Sequence, residues 1–85
     1  MGKLLHLPNI SQELENKLLS VGIDAPEMLR EKGSRNVFVK IKTIDSSACF
    51  DMLMALEGAV QGLLSDELDR KTRTELTEFM EVFNQ

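Results

Sequence analysis

The stretch Ser47–Leu64 reads SACFDMLMALEGAVQGLL, and its reading decides the fold. Cys49, Met52, Leu53, Leu56, Val60 and Leu63 recur mostly at steps of three and four, which is the apolar stripe of a helix and not the alternation of a strand. Ala48, Ala55 and Ala59 add small residues, and Asp45-Ser46-Ser47 ahead of them is a cluster of N-cap types. The spacing predicts a helix over about 47–64. A helix so rich in apolar residues must be the central one, with the rest of the chain laid over it.

Working towards the C-terminus, Ser65-Asp66-Glu67-Leu68-Asp69 reads as a linker with cap candidates. A last helix over Arg70–Phe83 carries Leu76, Phe79, Met80 and Phe83 on one face. Its acids Glu75, Glu78 and Glu81 gather at the far end, the unfavourable end for the helix dipole. Towards the N-terminus, Ile10, Leu14, Leu18 and Val21 mark a first helix over about 11–21, with Ser11 as cap and Gly22 as terminator. Asp24-Ala25-Pro26-Glu27 has the pattern of a capping box and opens a second helix that should stop at Gly33. Ser34 is then expected to cap a third helix over about 35–43. Val37, Phe38, Val39 and Ile41 also alternate like a strand, but a lone strand would have no partner, so helix is preferred. Phe38 and Ile41 would be its buried pair, and Lys40 and Lys42 would point outward. The sum is an all-α chain of about five short helices in a compact SAM-domain-like or helix-hairpin-helix-like bundle, one domain over residues 1–85.

Bulk composition narrows the function classes. The chain has 85 residues, a net charge of −4 and one cysteine, so two cores or an internal disulfide are excluded and a reducing cytoplasm is expected. The longest wholly apolar run, Met52–Leu56, falls far short of the ~20 residues of a membrane span. Charge is uneven. Residues 1–45 hold seven basic and six acidic groups, and residues 46–85 hold three basic and eight acidic, so the halves carry +1 and −5. An anion would be steered to the first half.

Two sets of residues have a familiar ring. Leu7-Pro8-Asn9-Ile10 is followed by Leu14, Leu18, Gly22-Ile23, Leu29-Arg30 and Gly33, and later comes Ala55-Leu56-Glu57-Gly58-Ala59-Val60-Gln61-Gly62. Together, over about residues 5–83, they resemble the TfoX C-terminal domain family of competence-gene regulators. The resemblance implies an all-α, helix-hairpin-helix-like unit with a role in transcription regulation of DNA uptake and no catalysis. In that family the domain often follows a separate N-terminal domain, so this chain is expected to be the C-terminal domain standing alone. Relatives carry a Trp and a Pro shortly after the last glycine of the second motif; Leu63–Asp69 has neither.

Three sets of residues are candidates for function. In the loop Pro8–Ser11, Asn9 and Ser11 stand where DNA-binding hairpins use glycines to bring backbone N–H groups to a phosphate. Lys3 and Lys17 would assist there, and Glu13 and Glu15 would oppose; the plainer reading is a helix cap. Arg30, Lys32, Arg35, Lys40 and Lys42 form a basic set that is either an anion-contact surface or a solvated face. Gly58 and Gly62, four apart, give the central helix a small face, for internal packing or an interface. Each glycine inside a helix costs about 1 kcal/mol relative to Ala, so close contact should offset it. Glu57 beside them is either a buried acid gripping a neighbouring helix N-terminus or simply exposed, and the family resemblance favours a structural hydrogen bond to backbone donors. Met54 lies off the main stripe and suggests an apolar partner patch.

Cys49 is expected to be buried and inert on the stripe. The only histidine, His6, builds neither a triad nor a metal site with it. No catalytic, cofactor or metal residues are expected. The functional expectation is a cytoplasmic, non-enzymatic interaction domain acting through protein–protein contacts or self-association. The alternative is weak duplex DNA backbone binding through the hairpin loop and the basic first half.

Overall fold

A computed structural model describes residues 4–83 of the chain. After a single 3-10 turn at Leu4–His6 come five α-helices: α1 (Gln12–Ser20), α2 (Pro26–Lys32), α3 (Ser34–Ile44), α4 (Phe50–Gln61) and α5 (Arg70–Phe83). A second 3-10 turn, Ser65–Glu67, joins α4 to α5. No strand occurs among the described residues.

Of the central stripe, Leu53 and Leu56 are fully buried, Met52, Val60 and Leu63 are half-buried and Cys49 is exposed. Ala59 of α4 is also fully buried. Helix α3 packs along α4, α2 touches both, and α5 also lies against α4. The strand-like run resolves as helix: Val37, Phe38 and Ile41 are all fully buried at steps of one and three. That is a helical face. Phe38 then meets the edge of the Phe83 ring at 5.9 Å, and Phe83 stacks on Phe79 at 5.8 Å, so three rings fix the end of α5 against α3. Leu76 seals the middle of α5.

Helix boundaries moved where local chemistry outranked pattern. Ser11 caps α1 as expected, accepting the Leu14 N–H at 3.2 Å. The capping box at α2 does not form. Pro26 drives the preceding Ala25 into extended backbone, so the cap falls on Ala25 and Asp24 makes no cap bond. Ser34 is the first residue of α3, not its cap. Ser47 does not start α4, because its N–H and hydroxyl both bond Asp45 Oδ1, at 3.0 and 2.5 Å. The helix begins at Phe50, and Cys49 is its N-cap residue, exposed and not buried as expected.

The far end of α4 is also earlier than the pattern suggested. Gly62 adopts the left-handed conformation, φ 77° and ψ 27°, with open space around it. Leu63 N–H then reaches back to Gly58 C=O at 2.8 Å and Gly62 N–H to Ala59 C=O at 3.3 Å. These two bonds make a Schellman stop, for which glycine is the least strained residue. So Gly62 is a terminator and carries no interior cost.

Gly58 is different: it is buried inside the helix, and the small face packs inward there. A Cβ at this position would meet Asn9 Nδ2 at 2.5 Å and the Leu63 carbonyl at 2.6 Å. Both lie under contact distance, and one is backbone. Gly58→Ala should therefore lower stability by about 1–3 kcal/mol, although Ala is the better helix former by about 1 kcal/mol. Urea denaturation measures this, and a stabilised Ala variant would contradict the packing described.

Candidate functional site

The hairpin loop is spent on the fold. Asn9 takes a positive φ of 69°, a conformation Asn tolerates better than most residues. Its Nδ2 donates to Leu63 C=O at 2.9 Å and Ala55 C=O at 3.3 Å, and its Oδ1 accepts the Ser65 N–H at 3.0 Å. Both amide hydrogens and the carbonyl oxygen thus have partners in the chain. The Ser11 hydroxyl is engaged in capping α1. Glu15 is only 5% exposed, its carboxylate accepting from the Gln12 amide at 3.1 Å, which keeps negative charge close to the loop. Lys3 lies outside the described residues.

The basic set divides. Lys17 is half-buried and pairs with Asp45 at 2.5 Å, with Glu13 further off at 3.7 Å. Lys42 does not point freely outward: its ammonium donates to Ser46 C=O and Ala48 C=O at 2.8 and 2.7 Å, tying down the exit from α3. Arg35 reaches Glu75 of α5 at 3.9 Å. Arg30, Lys32 and Lys40 are exposed and form no ion pair among the described residues. The structure therefore leaves three cations on α2 and α3 for outside anions.

Of the two readings of Glu57, the structure shows the one in which it reaches a helix N-terminus, but the donor is a side chain and not the backbone. Its Oε1 accepts from the buried Ser34 hydroxyl at 2.5 Å, at the first residue of α3. The carboxylate is well placed against the positive pole of that helix. The other oxygen accepts from Gln61 at 2.5 Å, so α4 and α3 are latched here. Met54 is half-buried and packs on the core, which removes it as a projecting patch.

One surface feature was not anticipated. Phe50 at the start of α4 and Thr77, Met80 and Glu81 of α5 line an open groove of about 340 Å³. The last three fall at steps of three and four on α5, a signal present in the sequence but assigned there to the core through Met80. Among the described residues no group of three His, Cys, Asp or Glu side chains comes together to hold a metal ion. No helix among them is long and apolar enough to cross a membrane.

With this geometry in view, the chain can be set beside known proteins. The family model of the TfoX C-terminal domain matches residues 1–80. The DNA transformation protein TfoX of Haemophilus influenzae is 34% identical over 76 residues, covering 89% of this chain. The chain spans 35% of that relative's length. Two solved structures from Listeria monocytogenes, one of an uncharacterized protein in a triclinic form and one of a protein of unknown function in a tetragonal form, superpose on the chain. The triclinic form has a TM-score of 0.93 at 42% identity, covering 95% of this chain and 92% of that one. The tetragonal form has a TM-score of 0.91 at 42% identity, covering 94% and 98%.

The Lys17–Asp45 pair makes a pH prediction. The Lys17 ammonium, then the Ser47 hydroxyl and N–H, hold the Asp45 carboxyl down from 3.8 to about 2. The same pair raises Lys17 above 10.5, led by its hydrogen bond to Asp45. A depressed carboxylate stabilises the fold above pH 3.8, and that contribution is lost as pH falls towards 2. Asp45→Asn should melt below wild type at neutral pH, with the gap closing between pH 3.8 and 2. A gap independent of pH would remove the pair from the account.

Proposed function

The chain belongs to the TfoX C-terminal domain family, and from that premise we propose that it is a non-enzymatic, cytoplasmic regulatory domain of the competence system. It acts as one unit over residues 1–85 through protein–protein contacts. The name of the Haemophilus relative supports the link to DNA transformation.

The observation that carries the choice of protein over nucleic acid is the occupation of Asn9. The loop's polar side chains are not offered to a phosphate: the Asn9 carboxamide is turned inward onto Ala55, Leu63 and Ser65, and the Ser11 hydroxyl caps α1. Lys17, the described cation nearest that loop in the chain, is held by Asp45. The net charge of −4 opposes approach of a polyanion. Weak duplex backbone contact is the second reading, favoured by exposed Arg30, Lys32 and Lys40. It needs no hairpin, only phosphate neutralisation.

The two readings separate by salt. Duplex binding followed by fluorescence anisotropy should be absent or negligible even near ~0.05 M salt, where phosphate contacts are strongest. Chain immobilised in nuclease-treated native cytosol should still retain a protein. Binding that falls steeply with salt and disappears in Arg30→Glu with Lys40→Glu would overturn the protein-contact reading.

A further inference from the structure

The groove at the α4–α5 end joins an apolar floor, which the core only half covers, to acidic charge unpaired among the described residues. Its floor is apolar: Phe50 and Met80 are only half-buried, and the space between them stays open at about 340 Å³. That is the low end of the ~300–1,000 Å³ range of small-molecule pockets, and an open trough suits protruding side chains better than an enclosed ligand. Its rim is acidic. Glu81 lines it, exposed Asp51 follows Phe50 in the first turn of α4, and exposed Glu78 stands three residues before Glu81.

The charge on α5 is itself unbalanced. From Glu75 to Phe83 the helix carries three glutamates and no lysine or arginine, and its last turn has no basic residue. The C-terminal pole of a helix is negative, so these acids lie where they are least favourable. Arg35 relieves Glu75, at 3.9 Å. Glu78 and Glu81 have no ion pair among the described residues. Lys42, the cation bonded just ahead of α4, is already taken by the Ser46 and Ala48 carbonyls.

We propose that this groove docks a cationic amphipathic helix of a protein partner. The partner's apolar ridge would seat on Phe50 and Met80, and its basic residues would lie over Glu81, Glu78 and Asp51. A helix laid between two helices is a recurrent way to bury such a trough. A second copy of this chain does not offer that ligand. Its exposed cations without an ion pair among the described residues, Arg30, Lys32, Lys40, Arg70 and Lys71, stand on helices whose apolar faces, Leu29 of α2, Val37, Phe38 and Ile41 of α3 and Leu76 of α5, are buried in their own core. The proposal rests on the protein-contact reading above and adds where the partner sits and what charge it brings.

The test uses the 85-residue chain and two synthetic peptides of about five helical turns, one Leu/Lys and one Leu/Glu with the same spacing. Amide NMR should show saturable shifts clustered at Phe50, Asp51, Thr77, Met80 and Glu81 with the Leu/Lys peptide and none with the Leu/Glu peptide. Glu78→Lys with Glu81→Lys replaces two exposed acids near the negative pole of α5, so it should melt at or slightly above the wild-type temperature and bind about tenfold more weakly. Shifts centred on α2 and α3, equal binding of both peptides, or an unchanged affinity in the double variant would each overturn the proposal. So would shifts at the groove that grow with chain concentration alone, which would assign it to a second copy. These failures would leave the protein-contact reading standing, because that reading falls only to salt-steep duplex binding.

Discussion

The carboxamide of Asn9 bonds to three backbone groups more than forty residues away in the chain, and much of the molecule is arranged around them. Two are carbonyls, of Ala55 inside α4 and of Leu63 just beyond it; the third is the N–H of Ser65 at the turn towards α5. This set fixes the orientation of the amide, since turning it over would put oxygen against two carbonyls. Gly58 is the counterpart, leaving the space the amide occupies. The first loop therefore holds the exit of the central helix. That exit aims α5, and the position of α5 beside Phe50 creates the groove. The two motifs that carry the family resemblance, around Asn9 and around Gly58, are the two sides of this contact.

Charge follows a similar economy. Cations of the first half are drawn into joints: Lys17 onto Asp45, Lys42 onto the carbonyls after α3, Arg35 towards α5. What remains outside is sparse on the basic side and unrelieved on the acidic side. A surface of this kind repels a polyanion as a whole but presents a local site to a cationic segment. The bond of Glu57 to Ser34 joins α4 to α3, while α5 is held by Leu76 and the Phe rings.

Helix number and core were legible because periodicity depends on local spacing. The stripe of α4, the face of α5 and the pair Phe38 and Ile41 follow from steps of three and four. Helix ends were less legible, because caps are contests between neighbours. Pro26 displaced Asp24, and Asp45 captured Ser47. The site was harder still. Asn9 reads as an anion-binding loop residue in sequence, and nothing near it in the chain announces partners at Ala55, Leu63 and Ser65. Lys17 likewise gives no sign of Asp45, which comes to it only when α1 packs against the end of α3. Gly58 and Gly62 look alike as a spaced pair, yet one is set by a close approach and the other by a positive φ. The groove was missed because a half-buried Met80 serves the core and the surface at once.

The most direct test of this account is the unfolding free energy of Asn9→Asp in urea at neutral pH. Aspartate has the same shape and can still accept the Ser65 N–H, but it cannot donate, and it sets a carboxylate against the Ala55 and Leu63 carbonyls. The account predicts a loss of about 2–3 kcal/mol. A variant within about 0.5 kcal/mol of wild type, the ordinary range for a surface substitution, would contradict it.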